Sequence, residues 1–481
     1  MEKNEEKQLR LMNLNVRSFL GALIILFCLM ALTYALTFLL PAGSYDRTET
    51  AAGAAVVPGT YHSVSGGISF GKWLASPVLV LTADGGFTIV AILLFLLVIG
   101  GAFNALDAAG VMRYLLGKLY HLYSARRYRL LAVVTLCFML LGAFVGSFEE
   151  VVPLVPIATA LAYSLGWDAL IGMGMSLLAV GCGFATGVCN PFTVGVAQTL
   201  AGLPMFSGIW LRALSFVVIY PLLLLFLTRY AKRIELDPAR SPVYDAAAAE
   251  RWNALRVDFS SDGRMEKALR WFIGTLATGV ALILSSAFLP ALQDLLMPMI
   301  ALIFLFAGTS AVLASGYGLR NYLRQFGKGA RSILPAVLLI LMASSVRYTL
   351  SEANILDTIL YKVVTLTEGL GPAGVILMIY ALVLVMNCFI ASGSAKAFLL
   401  MPLLAPLADL SGVSRQLTVV AFAFGDGFSN VYYPTNPVLL IALGIVGVSY
   451  GKWARWSGKM QAIILTVTCG LLLLGVAAGY R

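Results

Sequence analysis

Between Ala169 and Leu203 runs an apolar stretch that holds an Asn-Pro pair, Asn190-Pro191, within the segment GCGFATGVCNPFT (181–193). Proline lacks a backbone donor and clashes with the preceding turn. In hydrocarbon the freed backbone groups need partners from protein or water. A helix of this sequence must therefore break, and must break inside protein. The break has a counterpart: an offset of 246 (436 minus 190) places Asn190 on Asn436 and Pro191 on Pro437, in GDGFSNVYYPTNP (425–437). The same offset takes Pro156 to Pro402, Gly166 to Gly412, Gly181 to Gly427 and Trp210 to Trp456. One offset that matches several uncommon residues is the mark of an internal repeat. Paired broken helices in the two halves of a chain point to a transport site.

Of the 481 residues, 60% are hydrophobic and 12% charged, with a net charge of +10. That charge content is about half that of a soluble domain, and many apolar runs reach the ~20 residues that cross a bilayer. The expected class is an all-α polytopic membrane protein. The basic residues lie in loops between spans, which fits the positive-inside bias and not nucleic-acid binding. Six cysteines (Cys28, Cys137, Cys182, Cys189, Cys388, Cys469) lie in apolar segments without Cys-x-x-Cys spacing, so they read as packing residues. The histidines, His62 and His121, are too far apart for zinc-site spacing.

Residues 1–16 form a polar tail, expected in the cytoplasm, and 17–41 a retained first span. The polar stretch 42–70 carries Gly67-Ile68-Ser69-Phe70-Gly71, which fits G-x-S-x-G but lacks the strand–turn–helix context of a nucleophile. A span follows at 86–105, then a basic amphipathic stretch at 108–128. The segment 130–165 reads as a re-entrant hairpin, and 169–203 as the first broken helix. A span at 209–228 closes the first repeat, 17–228. The linker 229–267 is basic and expected to be cytoplasmic, with 245–257 able to form a surface helix. The second repeat, 268–481, has an added span: 268–289 and 293–314 cross, a basic loop spans 316–331, and 332–350 crosses. The amphipathic stretch 351–369 is acidic where its counterpart is basic. A second hairpin at 373–410, a second broken helix at 415–449 and a last span at 457–479 complete it. Opposite charge bias at equivalent positions indicates two inverted-topology repeats, with the C-terminus outside.

The first hairpin turns at Gly146-Ser147-Phe148-Glu149-Glu150, and carboxylates at membrane depth are functional candidates by default. The second turns at ASGSAK (391–396), where Lys396 is the equivalent of Glu150. Asp426 lies between two glycines ahead of the second break. The uncharged polar residues Thr186, Asn190, Thr193, Asn430, Thr435 and Asn436 surround the two breaks. Unwound backbone carbonyls can hold Na⁺, so a coupling ion is expected near Gly187, Asn190, Asn430 and Asn436. Helix packing is the competing account of the small residues in 183–187. Arg347, near a span end, reads as a snorkelling anchor.

Four segments together, GSFEEVVPLVP, GFATGVCNPFTVGVAQTLAGLP, IASGSAKAFLLMPLLAPLADLSGVSRQ and FGDGFSNVYYPTNP, resemble the YfcC-type branch of the four-carbon dicarboxylate carrier family, in the ion transporter superfamily. The resemblance covers about 17–479. It implies a homodimer in a bacterial inner membrane, a scaffold and a transport domain, and elevator-type alternating access. It also implies binding positions at Ser147, Glu149, Asn190, Thr193, Ser392, Ser394, Thr435 and Asn436, to which the residue chemistry adds Glu150, Gly393, Lys396 and Asp426.

Family members are associated with dicarboxylates and with basic amino acids. Three acids near one site would repel a dianion and favour an amino or guanidinium group, while Lys396 would suit a carboxylate. The expectation is a secondary transporter of cationic amino acids, by exchange or by Na⁺ or H⁺ symport. A dicarboxylate carrier is the alternative. An enzyme would need a nucleophile–base or metal constellation, and a nucleotide-driven pump a phosphate-binding Gly-rich loop. Neither pattern is present, and no cofactor is expected.

Overall fold

Apolar residues in long runs favour helix, because a helix satisfies its own backbone groups. The computed structural model describes residues 16–480 apart from 51–52, 84–85, 113, 116–117, 119–125, 147, 245–261, 287–295 and 368. Seven helices among the described residues are long and apolar enough to cross a bilayer: Ile89–Ala108, Arg127–Phe144, Ala169–Leu200, Ile209–Leu236, Pro372–Phe389, Gly393–Leu410 and Tyr450–Ala477. The chain is a multi-pass membrane protein. The surface helix expected at 245–257 lies outside the described residues.

One expectation is corrected. The stretch 316–331 is not a loop, because helix runs from Leu319 to Glu352 without a gap. Arg320, Arg324, Lys328 and Arg331 are exposed, while Tyr322 and Gly329 are buried. That spacing is an amphipathic helical face. Its limbs, Leu319–Ser332 and Val337–Glu352, meet at 41° around Pro335, the residue that kinks a helix.

The polar stretch after the first helix, Val16–Leu39, is built from strands that the sequence did not announce. Gly43–Ser44 pairs with His62–Ser63, and Arg47–Thr50 with Gly53–Val56, both antiparallel. Asp357 anchors them, accepting from Arg47 Nη2 and from the Tyr45 amide, each at 3.0 Å. Burial and the Asp357 charge push the Tyr45 hydroxyl up to about 12. Ser69 caps the helix Phe70–Leu79, accepting from the Lys72 amide at 3.3 Å, which gives the G-x-S-x-G serine a structural role.

Two groups of contacts follow. Gly86–Ala108 packs against Leu296–Ala314 and Leu319–Glu352, and the latter also takes Val16–Leu39. Elsewhere Ala179–Thr186 packs against Arg127–Leu140, Ile209–Leu236 and Arg415–Gly427. Arg415–Gly427 in turn packs against Pro372–Phe389 and Tyr450–Ala477.

Contacts between the two broken helices are reciprocal. A Cβ on Gly181 would meet the Val431 side chain, and a Cβ on Gly427 would meet Ala185. Adding 246 to 181 and 185 gives 427 and 431, so exchanging the halves turns one contact into the other. The outgoing arms swap in the same way. Val155–Ser164 packs on Pro437–Val446, while Gly393–Leu410 packs on 191–200.

A polar cluster ties down the start of the first broken helix. Asp168 caps Ala169–Met173, accepting from the Ile171 amide at 3.0 Å, from Tyr230 Oη at 2.5 Å and from Ser241 Oγ at 2.7 Å. Glu235 accepts from Trp167 Nε1 at 2.6 Å, Tyr128 Oη at 2.6 Å and Arg127 Nη2 at 3.0 Å.

Candidate substrate site

The first broken helix stops at Gly187, whose φ of 52° is left-handed, a conformation that glycine adopts without a steric penalty. It resumes at Pro191, whose missing donor is harmless at a first helical position. Asn190 lies between them and caps the new start, its Oδ1 accepting from the amides of Phe192 at 2.9 Å and Thr193 at 3.3 Å. The second break is built likewise. The helix Arg415–Gly427 passes through a 3₁₀ turn, Phe428–Val431, and restarts at Pro437. Asn436 Oδ1 accepts there from Val438 at 3.0 Å and Leu439 at 3.4 Å.

Two turns reach the first break, the one ahead of Glu149–Leu154 and the one ahead of Gly393–Leu410. Ala143 O accepts from the Cys189 amide at 3.0 Å, and Gly146, with φ of 75°, sits so close to Asn190 that a Cβ would strike its amide. From the other side comes Gly393, the first residue of Gly393–Leu410. A Cβ there would lie 2.6 Å from Thr193 Cγ2 and 2.7 Å from Asp426 Oδ2. Gly393 thus holds the first break, the second hairpin and Asp426 in one place, and close backbone approach is what requires glycine.

The charged core of the site is a Lys–Asp pair. Lys396 Nζ lies 2.5 Å from Asp426 Oδ1, and both side chains have 0% exposure. Lys396 also donates to Asn387 Oδ1. Asn387 Nδ2 is aimed at the Asp426 carbonyl at 2.9 Å, Ser429 Oγ at 2.6 Å and Asn430 Oδ1 at 3.0 Å. Asn436 Nδ2 reaches the same Asn430 oxygen at 3.0 Å. An ion pair in low dielectric needs such flanking hydrogen bonds to offset its desolvation. Asn190 Nδ2, Thr193 Oγ1, Thr435 Oγ1 and Asp426 Oδ2 are buried here without a hydrogen-bond partner, and Asp426 Oδ1 has only its ion pair with Lys396. Buried polar groups are ordinarily bonded, so these atoms offer themselves to a guest.

The remaining candidates are distributed as follows. Ser392 caps the second hairpin's outgoing helix, accepting from the Ala395 amide at 3.4 Å, and its Oγ is 3.4 Å from that of Ser394. Ser147 lies outside the described residues. Glu149 and Glu150 open the 3₁₀ turn Glu149–Leu154, and their side chains lie outside what is described. Thr186 bonds the Gly183 carbonyl at 2.7 Å and is committed to the helix.

Two residues here were not singled out from the sequence. Asn387 is the sole amide in the apolar run 372–390, and that isolation was its signal. Arg212 is fully buried, with Nε 3.4 Å from the Val188 carbonyl of the first break and Nη2 3.0 Å from Ser207 O. Among the described residues no group of three or more His, Cys, Asp or Glu side chains could hold a metal ion.

The chain matches the family described as C4-dicarboxylate anaerobic carrier (DcuC) over residues 20–477. It is 30% identical over 405 residues to YfcC of Escherichia coli (strain K12), a proposed basic amino acid antiporter, covering 82% of this chain and 79% of that one. An uncharacterized protein of Haemophilus influenzae (strain ATCC 51907 / DSM 11121 / KW20 / Rd) is 25% identical over 401 residues, covering 82% and 77%. Among solved structures, the Alcanivorax borkumensis YdaH transporter aligns at 18% identity and a TM-score of 0.43, covering 96% of this chain and 98% of that one. Neisseria gonorrhoeae MtrF, from a class of antimetabolite efflux pumps, aligns at 18% and 0.42, covering 96% and 95%.

Proposed function

This chain belongs to the C4-dicarboxylate anaerobic carrier family, in its YfcC-like branch, and from that premise we propose that it is a secondary transporter of cationic amino acids such as arginine, ornithine or lysine. The observation that carries the reading is the division of unpaired groups across Gly393. On one side the Asn190 amide and Thr193 hydroxyl offer donors, and on the other Asp426 offers an acceptor oxygen. An amino acid has a carboxylate for the first and a cationic group for the second. Glu149 and Glu150, at the first turn, supply further negative charge for a second cationic group. The basic amino acids named for the Escherichia coli relative agree with this polarity.

The reciprocal contacts of Gly181 with Val431 and of Gly427 with Ala185 support two inverted repeats about a pseudo-two-fold axis. Residues i and j contacting j′ and i′ is the signature of such an axis. In this reading both hairpins re-enter from opposite sides, and they move with the broken helices as a transport domain. The packed group 16–39, 86–108, 296–314 and 319–352 is the scaffold and homodimer side. The transport domain carries the substrate across the inner membrane in an elevator motion, from a cytoplasmic N-terminus to a C-terminus outside. Coupling is by exchange, or by H⁺ or Na⁺. At the second break Asn430 Oδ1 already accepts two hydrogen bonds, so a coupling Na⁺ would sit instead at the first break, on backbone carbonyls near Gly187 and Asn190.

Lys396 is the feature that favours the second reading, a four-carbon dicarboxylate carrier coupled to Na⁺ or H⁺, since its ammonium suits a carboxylate. The test is one panel. Purified protein in liposomes is given labelled arginine, ornithine and lysine beside malate, fumarate and succinate, with and without Na⁺ and a pH gradient. Uptake of the amino acids is expected, and uptake of dicarboxylates alone would overturn the reading. Glu149→Gln and Glu150→Gln should cut uptake at least ten-fold with unchanged expression, and normal uptake in both would move the site elsewhere.

A further inference from the structure

The Lys396–Asp426 pair is closed and fully buried, although Asp426 Oδ2 faces the contact between Gly393 and Thr193 where the substrate is placed. The acid that would receive a cationic substrate is therefore already occupied by a cation from the chain itself. Lys396 is in the first turn of Gly393–Leu410, flanked by Ala395 and Ala397, and its ammonium sits on a flexible four-carbon stem, so it can move without displacing the backbone. We propose that Lys396 is a tethered stand-in for the cationic group of the substrate, an inference that rests on the amino-acid reading above.

In the empty carrier the pair is closed and this part of the site is neutral. When an amino acid binds, the pair opens. The substrate's cationic group takes Asp426, and its carboxylate takes the Lys396 ammonium together with the free donors of Asn190 and Thr193. Both states then present paired charges to the low-dielectric interior, where an unpaired charge is expensive. The functional consequence concerns the empty carrier. Because Lys396 neutralises Asp426 when no substrate is bound, the unloaded site can cross the membrane, and the protein supports net flux as well as exchange.

Lys396→Met separates the two. Asp426 is then bare in the empty state, and is paired only when a cationic substrate is aboard. Proteoliposomes are loaded with labelled arginine and diluted either into amino-acid-free buffer, for net efflux, or into unlabelled arginine, for exchange. The expected result is a fall of at least ten-fold in the ratio of net efflux to exchange relative to wild type. Exchange itself should fall in this variant, because the substrate carboxylate keeps only the Asn190 and Thr193 donors, but by less than net efflux; an unchanged ratio in a monodisperse variant would overturn the inference.

The double variant Lys396→Met/Asp426→Asn guards against misfolding of the single one. It removes both charges, so its net-to-exchange ratio should return to within about three-fold of wild type while its preference for arginine over citrulline is lost. A double variant with the ratio of the single one, or one that keeps that preference, would overturn the inference. Failure of the wild type to move labelled arginine, ornithine or lysine is a separate outcome, and it overturns the amino-acid reading and this inference with it.

Discussion

Asn190 and Asn436 perform the same backbone task 246 residues apart, each accepting two amides at the start of a helix that opens with proline. They differ at the other end of the amide. Asn436 Nδ2 donates to Asn430 at 3.0 Å, whereas Asn190 Nδ2 is buried with no partner. The two breaks share the cap and differ in this one donor, which belongs to the residue that Gly146 approaches.

Asn→Asp substitution separates the two roles. A carboxylate keeps the capping oxygen and removes the donor. Asn190→Asp keeps the cap but buries a carboxylate oxygen with no donor, so it should lose some thermal stability in detergent and reduce amino-acid uptake at least ten-fold. Asn436→Asp should be the less stable of the two, because two oxygens then face each other where Asn436 met Asn430. Either residue replaced by alanine loses a helix cap, at a cost of about 1 kcal/mol. Unfolding midpoints beside uptake rates check all four variants.

The crossing of the two broken helices depends on Gly181 and Gly427. A Cβ at Gly427 would lie 2.6 Å from the Ala185 amide nitrogen, and nearer still to its Cα and Cβ. Backbone cannot yield as the end of a flexible side chain can. Gly427→Ala should therefore destabilise by about 1–3 kcal/mol, the range for overpacking a close-packed contact. Gly181→Ala meets only the Val431 side chain, which can change rotamer, so its loss should be smaller. Thermal unfolding of the purified variants measures the order.

Much of this was legible in the sequence because the signals were local. Proline after asparagine fixed both helix restarts, at Pro191 and Pro437, since the ring allows little else within an apolar run. The acid between two glycines, Asp426, marked a position of close approach. What stayed hidden was set by distant partners. Nothing near Lys396 in the chain says that it pairs with Asp426, thirty residues on, through an asparagine on a third segment. The strands of 43–63 were hidden for the same reason, because they are held by Asp357. The helix over 319–331 was misread because a run of exposed bases looks like a loop until its period is counted.

Asp168 sits at the polar end of the first broken helix, ahead of Ala169. Burial raises its carboxyl above the usual carboxylate range, against the lowering effect of hydrogen bonds from Tyr230, Ser241 and the backbone. The native state therefore holds this proton at a pH where the unfolded chain has released it. The unfolded state binds fewer protons across that window, so stability falls as pH rises from the ordinary carboxylate value through the native one. Asp168→Asn keeps a capping oxygen and cannot titrate. Its unfolding midpoint should be flatter than wild type as pH rises above the ordinary carboxylate value, with the advantage growing as pH rises further. A wild-type midpoint that rises across that range more than the variant's would contradict this assignment.

Asn387 touches Lys396, Ser429, Asn430 and the Asp426 backbone. Asn387→Leu has a similar volume but takes one partner each from Lys396, Ser429, Asn430 and the Asp426 carbonyl, leaving Lys396 only Asp426 and Asn430 only Asn436. Each buried hydrogen bond lost costs about 0.5–1.5 kcal/mol, more when one partner is charged. The variant should lose more stability than any single cap variant. Asn387→Asp should behave differently. A second carboxylate beside Asp426 supplies Lys396 with an extra partner, and one lysine then faces two acids that repel each other. Cationic amino acids should bind that variant more tightly and leave it more slowly. Steady-state uptake would then show a lower KM and a lower maximal rate, whereas a merely structural asparagine would lower the rate and leave KM where it was.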